Sequence, residues 1–366
     1  NVLVWFTYAH LLTWAGFVLG LLIIGRMLNE KRNPSNIFAW ALAVLLIPWI
    51  GVPLYFLFGG RKSRRLVERK RKVMEGSLYL AGETAPEEGL HRMRVTSGNR
   101  CSLLPDAPSA FHAILDGIEE STECIHVMTY ILSRDEAGLP VVDALRKKAE
   151  KGVEVRLLVD AFGFFGNGGK WIEDLKKAGG GVARFMPLLP LHSHTSANLR
   201  NHRKLAIFDH RKAVTGGQNI DRRFMGPEAG PETFRDFSIL VEGPVVRHLN
   251  FLFLNDWLFA TGRKPEDFRD IFSLELPAAG EKTLEVIESG PEVPTDPLYD
   301  RILELVQDCR ETLTIVTPYF VPDEPFLQAL ETAAARGAQV KVALPRQGDL
   351  RLVQLASQAY YPQLLE

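Results

Sequence analysis

What this sequence has little of sets the first limits. Three cysteines, Cys101, Cys124 and Cys309, stand far apart in 366 residues. That number and spacing build neither a disulfide framework nor a zinc ribbon, and Cys124 and Cys309 read as reduced core residues. Neither sign of charge is in excess: 43 Lys and Arg against 44 Asp and Glu leave a net charge of −1. No global field therefore recruits nucleic acid. Histidine is absent after His248. A phosphate loop is absent too. In FGFFGNGGKW, residues 162–171, Phe164 stands where the pattern needs its first glycine, and Trp171 follows Lys170 in place of Ser or Thr. That stretch reads as a flexible loop at a cleft rim.

Residues 2–24 and 37–58 lack Asp, Glu, Lys and Arg altogether. Each has about the twenty residues that cross a bilayer. The first is too long for the apolar region of a signal peptide, and no small-x-small cleavage site follows. Pro48, Gly51 and Pro53 interrupt the second, which is expected either to span with a kink or to dip into one leaflet. Trp5, Trp14, Trp40, Trp49 and Tyr55 suit the membrane interfaces. The connecting loop carries Arg26, Lys31 and Arg32. Residues 61–72, RKSRRLVERKRK, hold eight Lys and Arg and one Glu. The larger basic excess places the body of the chain in the cytoplasm. The run reads as a solvated face or, beside a membrane segment, as an attractor of anionic lipid.

From about residue 99 the pattern alternates helix and strand, and it repeats. ILDGIEESTECIHVMTYIL (114–132) resembles ILELVQDCRETLTIVTPYFV (302–321), and VVDALRKKAEKGVEVRLLVD (141–160) resembles FLQALETAAARGAQVKVALP (326–345). Gly152 and Gly337 hold the same place, where a helix ends before a buried strand. The chain is thus expected to be α/β, with an N-terminal transmembrane helical hairpin followed by two related αβ lobes. The expected boundaries are 1–60 for the hydrophobic hairpin, 61–98 for a basic juxtamembrane segment and linker, 99–280 for the first lobe and 281–366 for the second, incomplete one.

NHRKLAIFDHRKAVTGGQNI, residues 201–220, reads as a buried strand carrying charge, which calls for a partner or a task. His202 and Lys204, two apart, share one face of a strand. Their charges repel unless both face an anion. A phosphate would accept from Lys204 while His202 attacks phosphorus or moves a proton. Asp209, at the opposite parity, is expected to fix the strand or the following turn. Gly216 and Gly217 let backbone come close, and Asn219 adds a donor to phosphate. A core histidine with a snorkelling lysine is the plainer alternative. His192 and His194 are metal ligands by residue type alone, with no further ligands to name. They are expected to line the cleft or sit exposed. The apolar run 185–191 before them is either core or a loop dipping into the bilayer.

His202, Lys204 and Asp209, with Gly216, Gly217 and Asn219, resemble the phospholipase D superfamily motif, H-x-K-x4-D with a downstream G-[GS]-x-N. Within that superfamily the chain is similar to bacterial cardiolipin synthases through its paired apolar segments and through NHRKLAIFD, GGQNIDRRF and TPYFVPD. The resemblance implies two phospholipase D-like lobes with one motif each, meeting at a common cleft. It implies that His202, Lys204 and Asp209 are catalytic, with Gly217 and Asn219 at the substrate phosphate. One histidine becomes phosphatidylated, and the other protonates the leaving alcohol and then activates the incoming one. No metal or cofactor is needed. Two phosphatidylglycerols give cardiolipin and glycerol. The nucleophilic imidazole donates its other nitrogen to a carboxylate on a later strand, for which FRDFSILVEGP offers Asp236 first and Glu242 second.

The implied partners are phosphatidylglycerol, anionic phospholipid and the bilayer, with no nucleic acid, and the implied location is the bacterial inner membrane. A phospholipid hydrolase and a non-catalytic lipid-binding scaffold are the rival readings. The second motif is absent from the 366 residues. His202 follows Gly152 by fifty residues, whereas the chain ends 29 residues after Gly337. With Asn in place of an initiating Met, this leads to the expectation of a truncated second lobe, inactive as it stands. A homodimer pairing two copies of His202 is the alternative.

Overall fold

The computed structural model describes residues 2–28, 34–55, 64–81, 94–186, 200–290, 293 and 296–365. At the N-terminus, α1 (Val2–Leu28) packs on α2 (Pro34–Leu46) and α3 (Pro48–Leu54), burying Ile23, Met27, Val44, Val52 and Tyr55 among them. The second apolar segment breaks at Ile47 because Pro48 has no N–H to continue the helix and crowds the turn before it. Among the described residues no helix is long and apolar enough to cross a membrane. The side chains of α1 are described only for Trp14 and residues 16–28, and the other segment is two short helices.

The helix α4 (Arg64–Leu80) occupies what the sequence suggested was basic run and linker. Its Met74, Ser77 and Leu78 are buried, and Lys70 with them. The amphipathic pattern is sparse in apolar residues, which is why it was legible as charge and not as a packed helix. Residues 61–63 and 82–93 of that stretch lie outside the described residues.

The first repeat folds as expected. A long strand β1 (Arg94–Leu104) leads into α5 (Ala107–Glu120), β2 (Cys124–Thr129), α6 (Gly138–Glu150) and β3 (Glu154–Asp160). Asp106 caps α5, its side chain accepting from Ser109 N–H while Ser109 Oγ accepts from Asp106 N–H. The chain continues through α7 (Lys170–Lys177), β4 (Gly181–Phe185), β5 (Leu205–Phe208), β6 (Lys212–Gly216), β7 (Ser238–Glu242), α8 (Val245–Thr261), the short α9 (Arg269–Phe272) and β8 (Lys282–Val286). The strands form one sheet in the order β4-β3-β2-β5-β6-β7-β1-β8. β2, β3 and β4 run parallel, and β5 joins β2 antiparallel.

Alternation decides the two faces. Ile125, Val127, Val155, Leu157, Ala206 and Phe208 pack with Phe111, Ile114, Val141 and Leu145 of α5 and α6. His126, on the other face, stacks on Phe253 of α8 at 4.5 Å. The helix α8 is apolar almost all round and is buried along nearly its whole length. The first compact unit takes in residues 1–87 and 94–286, its sheet running from Arg94 to Val286.

The second unit holds α10 (Pro297–Asp308), β9 (Thr312–Val316), α11 (Glu324–Ala335), β10 (Gln339–Ala343), α12 (Arg351–Gln358) and α13 (Tyr361–Leu365). β9 and β10 pair in parallel, as β2 and β3 do. Val306, Phe320, Leu330 and Ala333 form its core.

Candidate active site

Strand register brings the motif to one edge of the sheet. Leu205 pairs with Met128 and with Thr215, and Gly216 pairs with Ser238. The start of β5, the end of β6 and the start of β7 thus meet the carboxyl ends of β2 and β3. Ligands of open α/β sheets bind at such an edge, where strand order reverses.

His202 and Lys204 do not lie on a strand, as the alternation had suggested. β5 begins at Leu205, and the two residues sit in the irregular segment before it. They converge all the same. Lys204 Nζ is 2.9 Å from His202 Nδ1 and 3.3 Å from its Nε2, and donates to the His202 carbonyl at 2.7 Å. Tyr130, just past β2, lies beside both: its ring is 4.7 Å from the imidazole and 5.7 Å from Lys204 Nζ. Lys204 is buried and His202 exposed. Burial pulls the Lys204 ammonium down to about 8, against the upward pull of the Asp236 carboxylate. Partial desolvation of a ring whose residue is otherwise exposed, and then the Lys204 charge, hold His202 below the usual imidazole range. A neutral imidazole beside a cation is the state that can attack an electrophilic phosphorus while an oxygen of the same group takes the cation's hydrogen bond.

Asp209 stands at the other end of β5, roughly 16 Å from Lys204 at strand rise. Its Oδ1 accepts from Glu123 N–H at 2.8 Å and Cys124 N–H at 2.9 Å, and its Oδ2 from Thr122 N–H at 2.9 Å. Burial pushes its carboxyl up, but these donors outweigh burial and its pKa lies below the usual value. It anchors the start of β2. This placement sets Asp209 apart from His202 and Lys204, holding the far end of the strand that they precede.

A Cβ on Gly217 would overlap the Asp236 carboxylate oxygens, and one on Gly216 would overlap the Phe237 carbonyl and Ser238. Both glycines are thus required for β6 to meet β7. Asp236 is half-buried and accepts from Phe237 N–H at 2.8 Å. No hydrogen bond joins it to His202 among the described residues; its charge acts on Lys204. Glu242 lies at the far end of β7 opposite Lys212, away from the imidazole. Asn219 is buried, and its Oδ1 accepts from Ile131 N–H at 3.1 Å, which holds the segment after β2 beside the GGQN turn. Through that contact Asn219 braces the rim of the site.

Three site residues escaped the sequence reading. Tyr130 is one, although the repeat aligns it near Tyr319. Asp160, at the end of β3, accepts from Asn201 N–H at 3.0 Å. Asp256, a lone acid in the apolar run NFLFLNDWLF, takes the Asn201 side chain at 2.9 Å. That isolated charge was the signal, since a buried carboxylate must be paired. Phe185 and Met186 are buried; residues 187–191, His192 and His194 lie outside the described residues. The 162–171 stretch exposes Phe162 and Phe165, and α7 begins within it at Lys170.

Comparison with known proteins decides the family. The model described as cardiolipin synthase, phospholipase D-like domain, matches residues 114–257 and 302–366, more than half of the chain. The chain belongs to the cardiolipin synthase family. Its match spans both repeats and includes every motif residue named above. The phospholipase D-nuclease N-terminal family matches residues 17–60, the apolar helices. Among curated members of the family, the cardiolipin synthase of Clostridium perfringens is 33% identical over 92% of this chain and 75% of its own length. That of Alkalihalophilus pseudofirmus is 30% identical over 96% of this chain and 74% of its own. Of solved structures, phosphatidylserine synthase from Haemophilus influenzae aligns with a TM-score of 0.51 at 15% identity, covering 81% of this chain and 72% of that one. That likeness shows a shared fold.

Proposed function

We propose that this protein is a membrane-attached phosphatidyltransferase that joins two phosphatidylglycerols into cardiolipin and releases glycerol. The observation that carries the reading is the contact of Lys204 Nζ with the His202 ring at the carboxyl edge of the sheet, in a chain of the cardiolipin synthase family. A ring nitrogen of His202 attacks the phosphorus of one phosphatidylglycerol. The N–P bond forms as the bond from phosphorus to the departing glycerol oxygen breaks, and that oxygen takes a proton. A glycerol hydroxyl of the second phosphatidylglycerol then gives up its proton and attacks; its O–P bond forms, the N–P bond breaks, and the imidazole is restored. Lys204 holds the phosphoryl oxygens through both steps from a site already stripped of water, where such a contact is strongest. Gly217 keeps room for Asp236, whose carboxylate favours the charged lysine. The proton for glycerol needs an acid. A second imidazole is the proposed donor of that proton.

The charge-free stretches and the family match at residues 17–60 support membrane attachment through α1, α2 and α3, with the basic residues after them favouring a cytoplasmic face in a bacterial inner membrane. The test is product analysis on phosphatidylglycerol vesicles with the full-length enzyme. Cardiolipin and glycerol in equal amounts are expected. Phosphatidic acid as the main product would replace transfer with hydrolysis, and binding without turnover would make the protein a scaffold.

A further inference from the structure

The helix α4, which follows the apolar segments, reaches the residues on either side of His202 through one buried carboxylate. Lys70 of α4 places its Nζ 2.7 Å from Asp256 Oδ1, with side chains 5% and 0% exposed. The other oxygen, Oδ2, accepts from Arg203 Nη1 at 2.7 Å and from Asn201 Nδ2 at 2.9 Å. Asn201 Oδ1 in turn accepts from Arg203 N–H at 3.1 Å. So Asp256 holds α4 with one oxygen and both neighbours of His202 with the other.

Burial alone would push the Asp256 carboxyl up, but Lys70 and Arg203 together bring it below the usual range, so it stays charged. Such buried pairs seldom add stability over apolar residues of the same volume; their value is in fixing one arrangement. The segment they fix needs it. Residues 201–204 belong to no strand, so no ladder holds the imidazole in place. The contact is also seated: Lys70 Nζ lies 5.4 Å from the Phe185 ring, and Arg69 lies 5.2 Å from that of Phe259.

We infer that Lys70 and Asp256 are positioning residues for the transfer, and that α4 sets where His202 stands. This rests on the reading of His202 as the reacting imidazole. It makes the helix after the membrane segments part of the catalytic framework and not a tether.

The test uses Lys70→Met in the full-length enzyme, which keeps the stem and removes the charge. We expect kcat on phosphatidylglycerol to fall on the order of 100-fold with KM little changed, as for a small misplacement of a reacting group. Amide exchange over residues 200–204 should quicken while that of β2 and β3 does not. Lys70→Arg should recover most of both losses. A folded Lys70→Met enzyme with normal kcat and normal exchange at 200–204 overturns the inference. If Lys70→Met does not fold, Asp256→Asn, which keeps the shape, decides by the same readouts. His202→Ala serves as the control: if that variant stays active while exchange in Lys70→Met quickens, the reading of the site has failed and the positioning contact has not.

Discussion

Between Ala107 and Asp160, and again between Pro297 and Ala343, the chain runs helix, strand, helix, strand. In both runs the strands pair in parallel, and the second helix ends on a glycine with positive φ, +88° at Gly152 and +96° at Gly337. The surroundings differ. β2 and β3 are buried on both faces except at Glu154, whereas β9 and β10 alternate between exposed and half-buried residues. β2 has β5 as its second neighbour and α8 across one face; among the described residues β9 and β10 form a two-stranded sheet. Tyr130, after β2, faces the imidazole, while Tyr319, after β9, donates to Asp349 at 2.8 Å. The repeated pattern builds the scaffold. The proposed reacting groups come from what is laid beside it, the segment 200–261, which supplies β5, the two-glycine turn and α8.

The largest expected effect separates those two contributions. His202→Ala removes the reacting nitrogen and leaves both repeats untouched. We expect transfer to fall by at least about a thousandfold, as when a nucleophile is deleted, with an unchanged melting temperature. Near-normal turnover in the folded variant would move the site elsewhere.

Next in size is Lys204→Ala, which loses a charged contact in a dry pocket. The expected cost is about 3 kcal/mol of transition-state stabilisation, on the order of 100-fold in kcat. Lys204→Arg should not restore it, because a planar fork does not replace a point charge. A Lys204→Ala enzyme that loses only yield would make the residue structural.

A smaller effect is read from pH. Lys204 is charged below about 8, so kcat/KM should fall as pH rises through that value. His202 must be neutral to attack, and its pKa lies below the ordinary histidine value, so activity should persist as pH falls through 6.5, the ordinary value, and fail only further down. A profile flat from pH 7 to 10 would remove Lys204 from the rate.

The smallest effect tests the equivalence of the repeats. No atom lies within 4 Å of a Cβ added at Gly152 or Gly337. Backbone strain alone should cost about 1 kcal/mol at each, seen by amide exchange in α6 and α11. A large difference between Gly152→Ala and Gly337→Ala would show that the two helix ends are not the same device.

How much of this was legible follows the distance between partners. The repeats, the glycine ends and the H-x-K-x4-D spacing are local, and they were read. The start of β5 was not: alternation runs on through His202 and Lys204, but their side chains turn to each other in place of a ladder. Lys70, Asp160 and Asp256 could not be assigned, since each meets its partner from a distant part of the chain. The helix α4 was masked by its own charge. The charge of Asp236 reaches Lys204 from before β7, another relation that sequence spacing does not display.

Asp209 and His210 both have positive φ, 47° and 57°, and Arg211 N–H closes the turn on the Phe208 carbonyl at 3.0 Å. Such a turn matches the twist of the two strands it joins and fixes their register. With the Asp209 carboxylate pinned to the start of β2, β5 becomes a ruler with its zero at the turn. The four residues between Lys204 and Asp209 are its length. One residue added there would carry the lysine past the edge and onto the opposite face, with every other contact of the lobe available as before. The spacing of the motif is thus a measurement the fold makes, and an insertion in β5 should be tolerated in stability far better than in turnover.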